Sequence, residues 1–217
     1  ILGNAEAAEM LIETGRMSNH ELRQILRDIR RDDLRASEVI RRLRTLLSGH
    51  EGERRRFDLN DVVGDTARLL SAEARRRGVT LEHTPGAQRA DVLGDTVQIQ
   101  QLIINLCLNA FDACDGQPAE RRRVRLATAD TPAGVQLGVS DTGAGIPAAE
   151  LPRIFESFYS TKRGGMGLGL AIVRSIVEAH GGTIRVARHD DGAEFLVVLP
   201  HPPAPDSAPP PARNNAA

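Results

Sequence analysis

Apolar side chains between residues 22 and 47 recur every three or four positions, which is the spacing of one face of an α-helix. A single carboxylate, Asp33, interrupts this stripe. Residues 1–12 carry the same stripe, and a glycine between the two stripes favours a helix end. The pattern therefore predicts that residues 1–50 form a hairpin of two antiparallel helices, the first cut short at its N-terminus. A linker is expected at 51–56.

Beyond the linker, helix-spaced stripes alternate with short runs in which every second residue is apolar, the pattern of half-buried strands. Helices are predicted at 58–78, 94–114 and 169–182, and strands at 79–83, 123–129, 135–141, 183–188 and 194–200. This mixture predicts an α+β fold, in which the helical hairpin precedes an α/β sandwich with a largely antiparallel sheet at 57–200. The Pro- and Ala-rich residues 201–217 are predicted to be disordered.

Charge and composition narrow the classes of partner. The chain has 217 residues and a net charge of −1, its arginine clusters are balanced by acidic residues, and only 3% of its residues are aromatic. A nucleic-acid partner is therefore not expected. The chain contains neither a signal peptide nor an apolar run near the roughly 18 residues that cross a bilayer, so this segment is expected to be cytoplasmic, without direct membrane contact. Whether the intact protein is anchored in the inner membrane stays open.

Two cysteines, Cys107 and Cys114, lie in one apolar stretch and are interpreted as packing residues. Two thiols without histidines at metal-ligand spacing make a poor zinc site. A reducing compartment fits this cysteine content.

Polar side chains line one edge of the predicted helix at 94–114. Asn105, Asn109 and Asp112 are spaced four and three residues apart, so they lie above one another on the helix. Asparagine is unfavourable inside helices, and amide and carboxylate oxygens are ligands that Mg²⁺ prefers and shares with phosphate. The edge is therefore a candidate cation site, although a solvent-facing edge explains any one of these residues equally well.

Two glycine-rich segments follow. In "DTGAGI", Asp141 leaves a predicted strand and two glycines come after it, so backbone can approach a flat ligand while the carboxylate accepts a hydrogen bond. A plain tight turn is the alternative. In "STKRGGMGLGL", four glycines precede an apolar helix, whose free amides favour an anion. Lys162, the only lysine in the chain, stands close enough to meet phosphate oxygens, but a flexible loop would carry the same composition.

The order and spacing of these segments resemble the nucleotide-binding boxes of the GHKL superfamily, which includes gyrase, Hsp90-type chaperones, histidine kinases and MutL. "QQLIINLCLNAFDA" is similar to the N box, "DTGAGI" to the first glycine box, "FESFYSTK" to the phenylalanine box and "GGMGLGL" to the second glycine box. With the hairpin included, the chain resembles sensor histidine kinases of two-component systems, in the subgroup with a short ATP lid. The resemblance implies that 1–50 is the dimerisation and phosphotransfer hairpin and 57–200 the ATP-binding domain.

The resemblance also implies ATP and Mg²⁺ as cofactors and assigns roles to residues. Asn109 would bind Mg²⁺ with Asn105 close to the phosphates, Asp141 would accept from the adenine amino group, and Lys162 would hold the phosphate chain. Phe155 and Phe158 would anchor the lid. The full set of implied ATP-binding residues is Asn105, Asn109, Asp112, Asp141, Gly143, Gly145, Ile146, Phe155, Phe158, Thr161, Lys162, Gly165, Gly167, Leu168, Gly169 and Leu170.

One residue type separates kinase from ATPase. The ATPases of the superfamily carry a glutamate one turn before the metal-binding asparagine, and this chain has Asn105 there, which cannot take a proton from water at neutral pH. The prediction is therefore a kinase that transfers the γ-phosphoryl to a histidine, with a homodimer partner and a response-regulator receiver domain as the next acceptor. A GHKL-type ATPase and a degenerate nucleotide- or partner-binding module remain the alternatives.

His20 lies in "SNHELRQIL", which is similar to the phosphorylation site of sensor kinases. Ser18 and Glu21 form a capping box, so His20 falls in the first turn of a helix, at the bend of the hairpin. Family acceptors lie inside the first helix and precede two helices, whereas one helix follows His20. We therefore do not expect His20 to be the acceptor, and expect the true histidine about two and a half turns before Ile1.

Overall fold

The computed structural model describes residues 54–162, 166–189 and 192–203, apart from the side chains of 188 and 189. The predicted hairpin at 1–50, and with it His20, lies outside the described residues. So do Gly165 of the predicted phosphate loop and residues 204–217 of the predicted tail.

Helices and strands alternate along the described chain. The strands are β1 (Arg55–Asp58), β2 (Thr80–Thr84), β3 (Asp91–Gly94), β4 (Arg123–Thr131), β5 (Gly134–Asp141), β6 (Thr183–His189) and β7 (Gly192–Leu199). The helices are α1 (Leu59–Arg76), α2 (Thr96–Cys114) and α3 (Gly169–Ala179), with a short 3-10 helix at Ala119–Arg121.

Five strands form one sheet in the order β2-β4-β5-β7-β6. The β2–β4 pairing is parallel and the other three pairings are antiparallel, so the prediction of a largely antiparallel sheet is confirmed. Side chains along the first half of β4 alternate between exposed arginines and buried Val124 and Leu126, which shows that one face of the sheet is covered. The helices pack on that face, giving the predicted α/β sandwich.

Polar side chains fix where the helices begin and how they meet. Asp58 caps α1 by accepting from the Asn60 amide at 2.7 Å, and Asp95 caps α2 by accepting from the Val97 amide at 2.8 Å. The imidazole of His180, at the end of α3, accepts from the Asp95 amide through Nε2 at 3.1 Å and faces the Ile176 carbonyl through Nδ1 at 2.8 Å. The start of α2 and the end of α3 are therefore tied together.

The structure differs from the prediction at the N-terminal side of the sandwich. Strands β1 and β3, which the sequence pattern did not predict, pair with each other as a separate antiparallel ribbon. Because β1 starts at Arg55, it extends two residues into the predicted linker at 51–56, and Asp58 is a helix cap rather than part of the helix. Both strands have only four residues. β1 contains no buried residue, and in β3 the alternation of exposed and buried positions is too short to predict a strand.

Cys107 and Cys114 both lie in the core, as the packing interpretation predicted. Burial raises the pKa of the Cys107 thiol to about 12. Across the described ranges, no helix combines the length with the apolar character that crossing a bilayer requires.

Candidate functional site

The polar edge of α2 is fixed by the burial of the opposite face. Leu102, Ile103 and Leu106 are fully buried, so the helix cannot rotate without exposing them. Asn105, Asn109 and Asp112 therefore share the half-buried edge that the spacing predicted. The Asn105 Nδ2 atom is shielded from solvent and has no hydrogen-bond partner within the described part of the chain. A buried donor without a partner is uncommon, and it indicates that a bound ligand can accept the missing hydrogen bond.

Asp112 is held from two sides. Its Oδ1 accepts from Arg77 Nη1 at 2.6 Å, and its Oδ2 accepts from Lys162 Nζ at 2.8 Å. Burial raises the pKa of this carboxyl, but the hydrogen bonds from Lys162 and Arg77 outweigh burial and leave the pKa below the ordinary value of 3.8. Asp112 is therefore ionised at neutral pH, and Lys162 Nζ also lies 3.5 Å from Asn109 Oδ1.

The N-terminus of α3 reaches the same edge of α2. A Cβ built on Gly169, the first residue of α3, would lie 3.6 Å from Asn109 Nδ2 and 4.0 Å from Asn105 Oδ1. Leu168 is buried and anchors this turn, while Leu170 is half-buried. The first amides of α3 and the asparagine side chains therefore surround one region, where the helix dipole favours an anion.

Asp141 lies at the end of β5 and is only 8% exposed. Burial raises the pKa of its carboxyl, and the backbone amides of Gly143 and Ala193 and the charge of Lys162 oppose that rise in part. The Gly143 amide donates to Asp141 Oδ1 at 2.9 Å. The Ala144 amide donates to the Ala113 carbonyl at 3.3 Å, so the segment that follows Asp141 contacts the C-terminal end of α2.

Three glycines allow the backbone to close around Asp141. A Cβ on Gly143 would overlap the Ala113 carbonyl at the end of α2, and a Cβ on Gly192 would overlap the Asp141 carbonyl. Gly145 has φ +70°, a conformation that side chains disfavour, and Ile146 beside it is half-buried. Gly192 was not among the predicted site residues, because it lies 51 positions after Asp141 and only the β5–β7 pairing brings it there.

The phenylalanine segment holds the base of the loop between Phe158 and Gly167. The Phe155 ring packs edge-on against Phe195 of β7, with 6.5 Å between ring centroids. Phe158 is 70% exposed, so its ring does not pack into the core. It holds the loop through its backbone, whose amide donates to the Gly167 carbonyl at 3.0 Å. Thr161 is exposed on this loop.

The structure thus brings the predicted α2 edge, Lys162 and the start of α3 together, and the segment that follows Asp141 contacts the end of α2. Arg77 is an addition that the sequence analysis missed. Three arginines follow one another at Arg75–Arg77, and the sequence does not indicate which of them contacts the site. The two amide side chains, an ammonium group and free helix amides are suited to a polyphosphate with a bound cation. No group of three His, Cys, Asp or Glu residues suited to a metal occurs within the described ranges, so a cation here would share phosphate oxygens.

Comparison with known proteins agrees with this arrangement. The family model described as histidine kinase-, DNA gyrase B-, and HSP90-like ATPase matches residues 94–203. Sensor histidine kinase TmoS from Ectopseudomonas mendocina is 36% identical over 203 residues, which make up 92% of this chain and 21% of TmoS. The chain spans between 21% and 38% of the length of the first curated relatives it matches.

Two solved structures share the fold. The catalytic domain of histidine kinase ThkA has a TM-score of 0.61 and 28% identity, covering 68% of this chain and 95% of that domain. Full-length ShkA in complex with AMPPNP has a TM-score of 0.68 and 25% identity, covering 89% of this chain and 42% of ShkA. The chain therefore belongs to the histidine kinase-, DNA gyrase B- and HSP90-like ATPase family. Within that family it is similar to the catalytic domains of sensor histidine kinases.

Proposed function

We propose that this domain binds Mg·ATP and transfers the γ-phosphoryl group to a histidine, for relay to an aspartate of a response regulator. The observation that carries the proposal is the meeting of three distant segments at one edge of α2. Lys162 reaches Asp112 at 2.8 Å, and Gly169 abuts Asn109. An ammonium, two amides and a helix N-terminus together favour a polyphosphate over any uncharged ligand.

Each side chain then has a task that its surroundings support. Asn109 offers an amide oxygen to Mg²⁺, and the unpartnered Asn105 Nδ2 can donate to a phosphate oxygen. Lys162 and the amides from Gly165 to Leu170 hold the phosphate chain. Gly143, Gly145 and Ile146 shape a slot in which ionised Asp141 accepts from the adenine amino group. Bound Mg²⁺ supplies charge neutralisation of the phosphates. ShkA, which was solved with AMPPNP, supports the choice of ATP.

Asn105 favours transfer of the γ-phosphoryl group to a side chain over hydrolysis of ATP. An amide oxygen does not take a proton from water at neutral pH, so the attacking nucleophile must be a side chain brought to the phosphate. The main rival is an ATPase of the same family, which requires a base at this position. The second rival, a module that has lost nucleotide binding, conflicts with the retention of Asn109, Asp141 and Lys162 in one region.

The whole protein is then a homodimeric, cytoplasmically facing sensor kinase. Residues 1–50 form its dimerisation hairpin, 51–56 the linker, 57–200 the ATP-binding domain with β1 added at its start, and 201–217 a tail. The name of the relative TmoS supports the sensor role. The position of the acceptor histidine stays a prediction, since His20 lies outside the described residues.

Titration of the chain with a fluorescent ATP analogue tests the proposal. We expect saturable binding that requires Mg²⁺, and we expect Asn109→Ala to weaken it at least about tenfold, because a ligand to the metal and phosphates is lost. Val97→Ala is the matched control, since Val97 is an exposed residue in the first turn of the same helix. Absence of binding by the wild-type chain, or equal binding by both variants, would contradict the proposal.

A further inference from the structure

Arg77 is the one cation outside the nucleotide-binding motifs that contacts the side chains of the site in the described part of the chain. Its Nη1 donates to Asp112 Oδ1 at 2.6 Å, on the carboxylate oxygen opposite the one that binds Lys162. The two residues are 35 positions apart and belong to different elements, because Arg77 caps the C-terminus of α1 while Asp112 lies on α2. Arg77 therefore links α1 to the polar edge of α2.

The guanidinium group is fixed before any ligand arrives. Its Nε donates to Glu73 Oε1 at 2.7 Å on the same helix. The backbone of Arg77 is fixed as well, because its carbonyl accepts from Arg122 Nη1 at 3.0 Å and its amide donates to the Glu73 and Ala74 carbonyls in the last turn of α1. The side chain of Arg77 is 23% exposed and that of Asp112 is 34% exposed, so solvent and salt screen their attraction less than they screen a surface pair.

The contact between Arg77 and Asp112 affects the charge next to the proposed phosphate site. Asp112 carries a full negative charge at the edge of a region suited to an anion, and a bare carboxylate there would repel the ligand. Lys162 neutralises it in the structure, but an ammonium drawn toward a phosphate oxygen must leave or stretch that hydrogen bond. Arg77 stays on the other oxygen, so the carboxylate remains neutralised while Lys162 is free to turn to the ligand.

We propose that Arg77 is a positioning residue for nucleotide phosphates, which acts by holding and neutralising Asp112 so that Lys162 can exchange between Asp112 and the ligand. This inference rests on the proposed function. Arg77 itself need not touch the nucleotide, and it contributes nothing to recognition of the base.

Arg76 provides a matched control for this role. It precedes Arg77 in the same last turn of α1 and also pairs with Glu73, with Nη2 at 2.6 Å from Oε1. Its side chain is 70% exposed, and within the described part of the chain it does not contact Asp112. Arg76→Gln removes the same charge from the same turn. Any effect of Arg77→Gln beyond that of Arg76→Gln therefore reports the contacts that Arg77 makes with α2 and its C-terminal cap, with Asp112 at 2.6 Å and Asp115 at 3.9 Å, and the Asp112→Asn background below separates the two.

The experiment compares ATP affinity across these variants of the full chain by isothermal titration in the presence of Mg²⁺. We expect Arg77→Gln to weaken ATP binding about fivefold to tenfold, as one lost charge near the phosphates implies. Arg76→Gln should weaken binding less than about twofold, because its charge is screened. Arg77→Lys should recover only part of the affinity, since an ammonium cannot serve Glu73 and Asp112 together as a planar fork does.

Two further measurements separate positioning from a structural role. In an Asp112→Asn background, the effect of Arg77→Gln should shrink to that of Arg76→Gln, and adenosine, which has no phosphates, should bind the wild type and Arg77→Gln equally in an NMR shift titration. Equal effects of the two arginine variants, or an undiminished effect with Asp112→Asn, would overturn the inference. Failure of the wild-type chain to bind ATP would instead contradict the proposed function, so the two failures are distinguishable.

Discussion

At the scale of single residues, Asp141 shows how the site holds a charge that its burial opposes. Burial raises the pKa of its carboxyl, while the Gly143 and Ala193 amides and the Lys162 charge resist the rise. Because the folded-state pKa is raised, the charged form lowers stability above that pKa, and this loss is relieved as the pH falls through it. The same decrease in pH protonates the Asp141 carboxylate, which is the proposed hydrogen-bond acceptor for the adenine amino group.

We therefore expect ATP affinity to decrease on acidification, beginning at a higher pH than the ordinary aspartate value of 3.8. Asp141→Asn should weaken binding about 10- to 100-fold, as loss of a hydrogen bond to a charged group implies, and should remove this acidic decrease. Affinity measured across a pH series checks both. The control is Asp65→Asn, which changes an exposed carboxylate on α1. An unchanged pH profile in Asp141→Asn would contradict the assignment.

Residues of the site were predictable from sequence where a local motif fixed them. Asn105, Asn109 and Asp112 follow from helix spacing, and Asp141 from a strand that ends in glycines. Arg77 and Gly192 were not predictable, because their roles come from contacts across 35 and 51 positions that no local pattern records. The positive φ of Phe158, 67°, was likewise not predictable, because the residue meets Gly167, nine positions later, through a backbone hydrogen bond.

At the scale of elements, the candidate site lies where helices and strands end. The backbone contact between Phe158 and Gly167 comes directly before α3 and helps to place its first turn. Gly167 has φ +65°, and a Cβ there would overlap the backbone of Phe158 and Tyr159. Gly116 has a similar φ of +88°, but a Cβ there meets nothing within 4 Å. The two glycines therefore separate the effect of backbone strain from the effect of close contact.

We expect Gly116→Ala to lower the free energy of unfolding by about 1 kcal/mol through strain alone and to leave ATP affinity unchanged. Gly167→Ala should weaken ATP binding about tenfold, because forcing the two backbone segments apart moves both Lys162 and the first turn of α3. Denaturant unfolding together with titration of each variant checks this. Equal affinities for the two variants would show that the base of the loop does not position the phosphates.

The three helices were predictable because their apolar stripes are long, and Asp58 and Asp95 mark two of their starts as caps. The paired strands β4, β5, β6 and β7 were predictable from alternation. Strands β1 and β3 were not, since four residues are too few for alternation to be recognised and each strand is defined by pairing with the other. The predicted first helix began one residue too early, because Asp58 lies just before α1 and caps it.

At the scale of the whole molecule, the order of strands decides which segments meet. Asp141 ends β5 at the centre of the sheet, its neighbour β7 supplies Gly192 and Ala193, and α2 and α3 pack together beside them. The hydrogen bond between the Asp95 amide and His180 sets the spacing of these two helices at the ends opposite Asn109 and Gly169. The candidate site thus combines segments that are distant in sequence, and the sequence indicated a nucleotide only because its motifs resemble those of a known family.

The last prediction concerns what this assembly does with ATP. Because Asn105 cannot deprotonate water, we expect steady-state phosphate release from the chain below about 0.01 per second, far under the roughly 10 per second typical of enzymes. Asn109→Ala, measured in parallel, gives the background from contaminating hydrolases. In the same reaction with radiolabelled ATP, we expect no acid-labile, base-stable label on His20. Rapid phosphate release that Asn109→Ala abolishes would identify an ATPase, and a label that vanishes in His20→Ala would make His20 the acceptor.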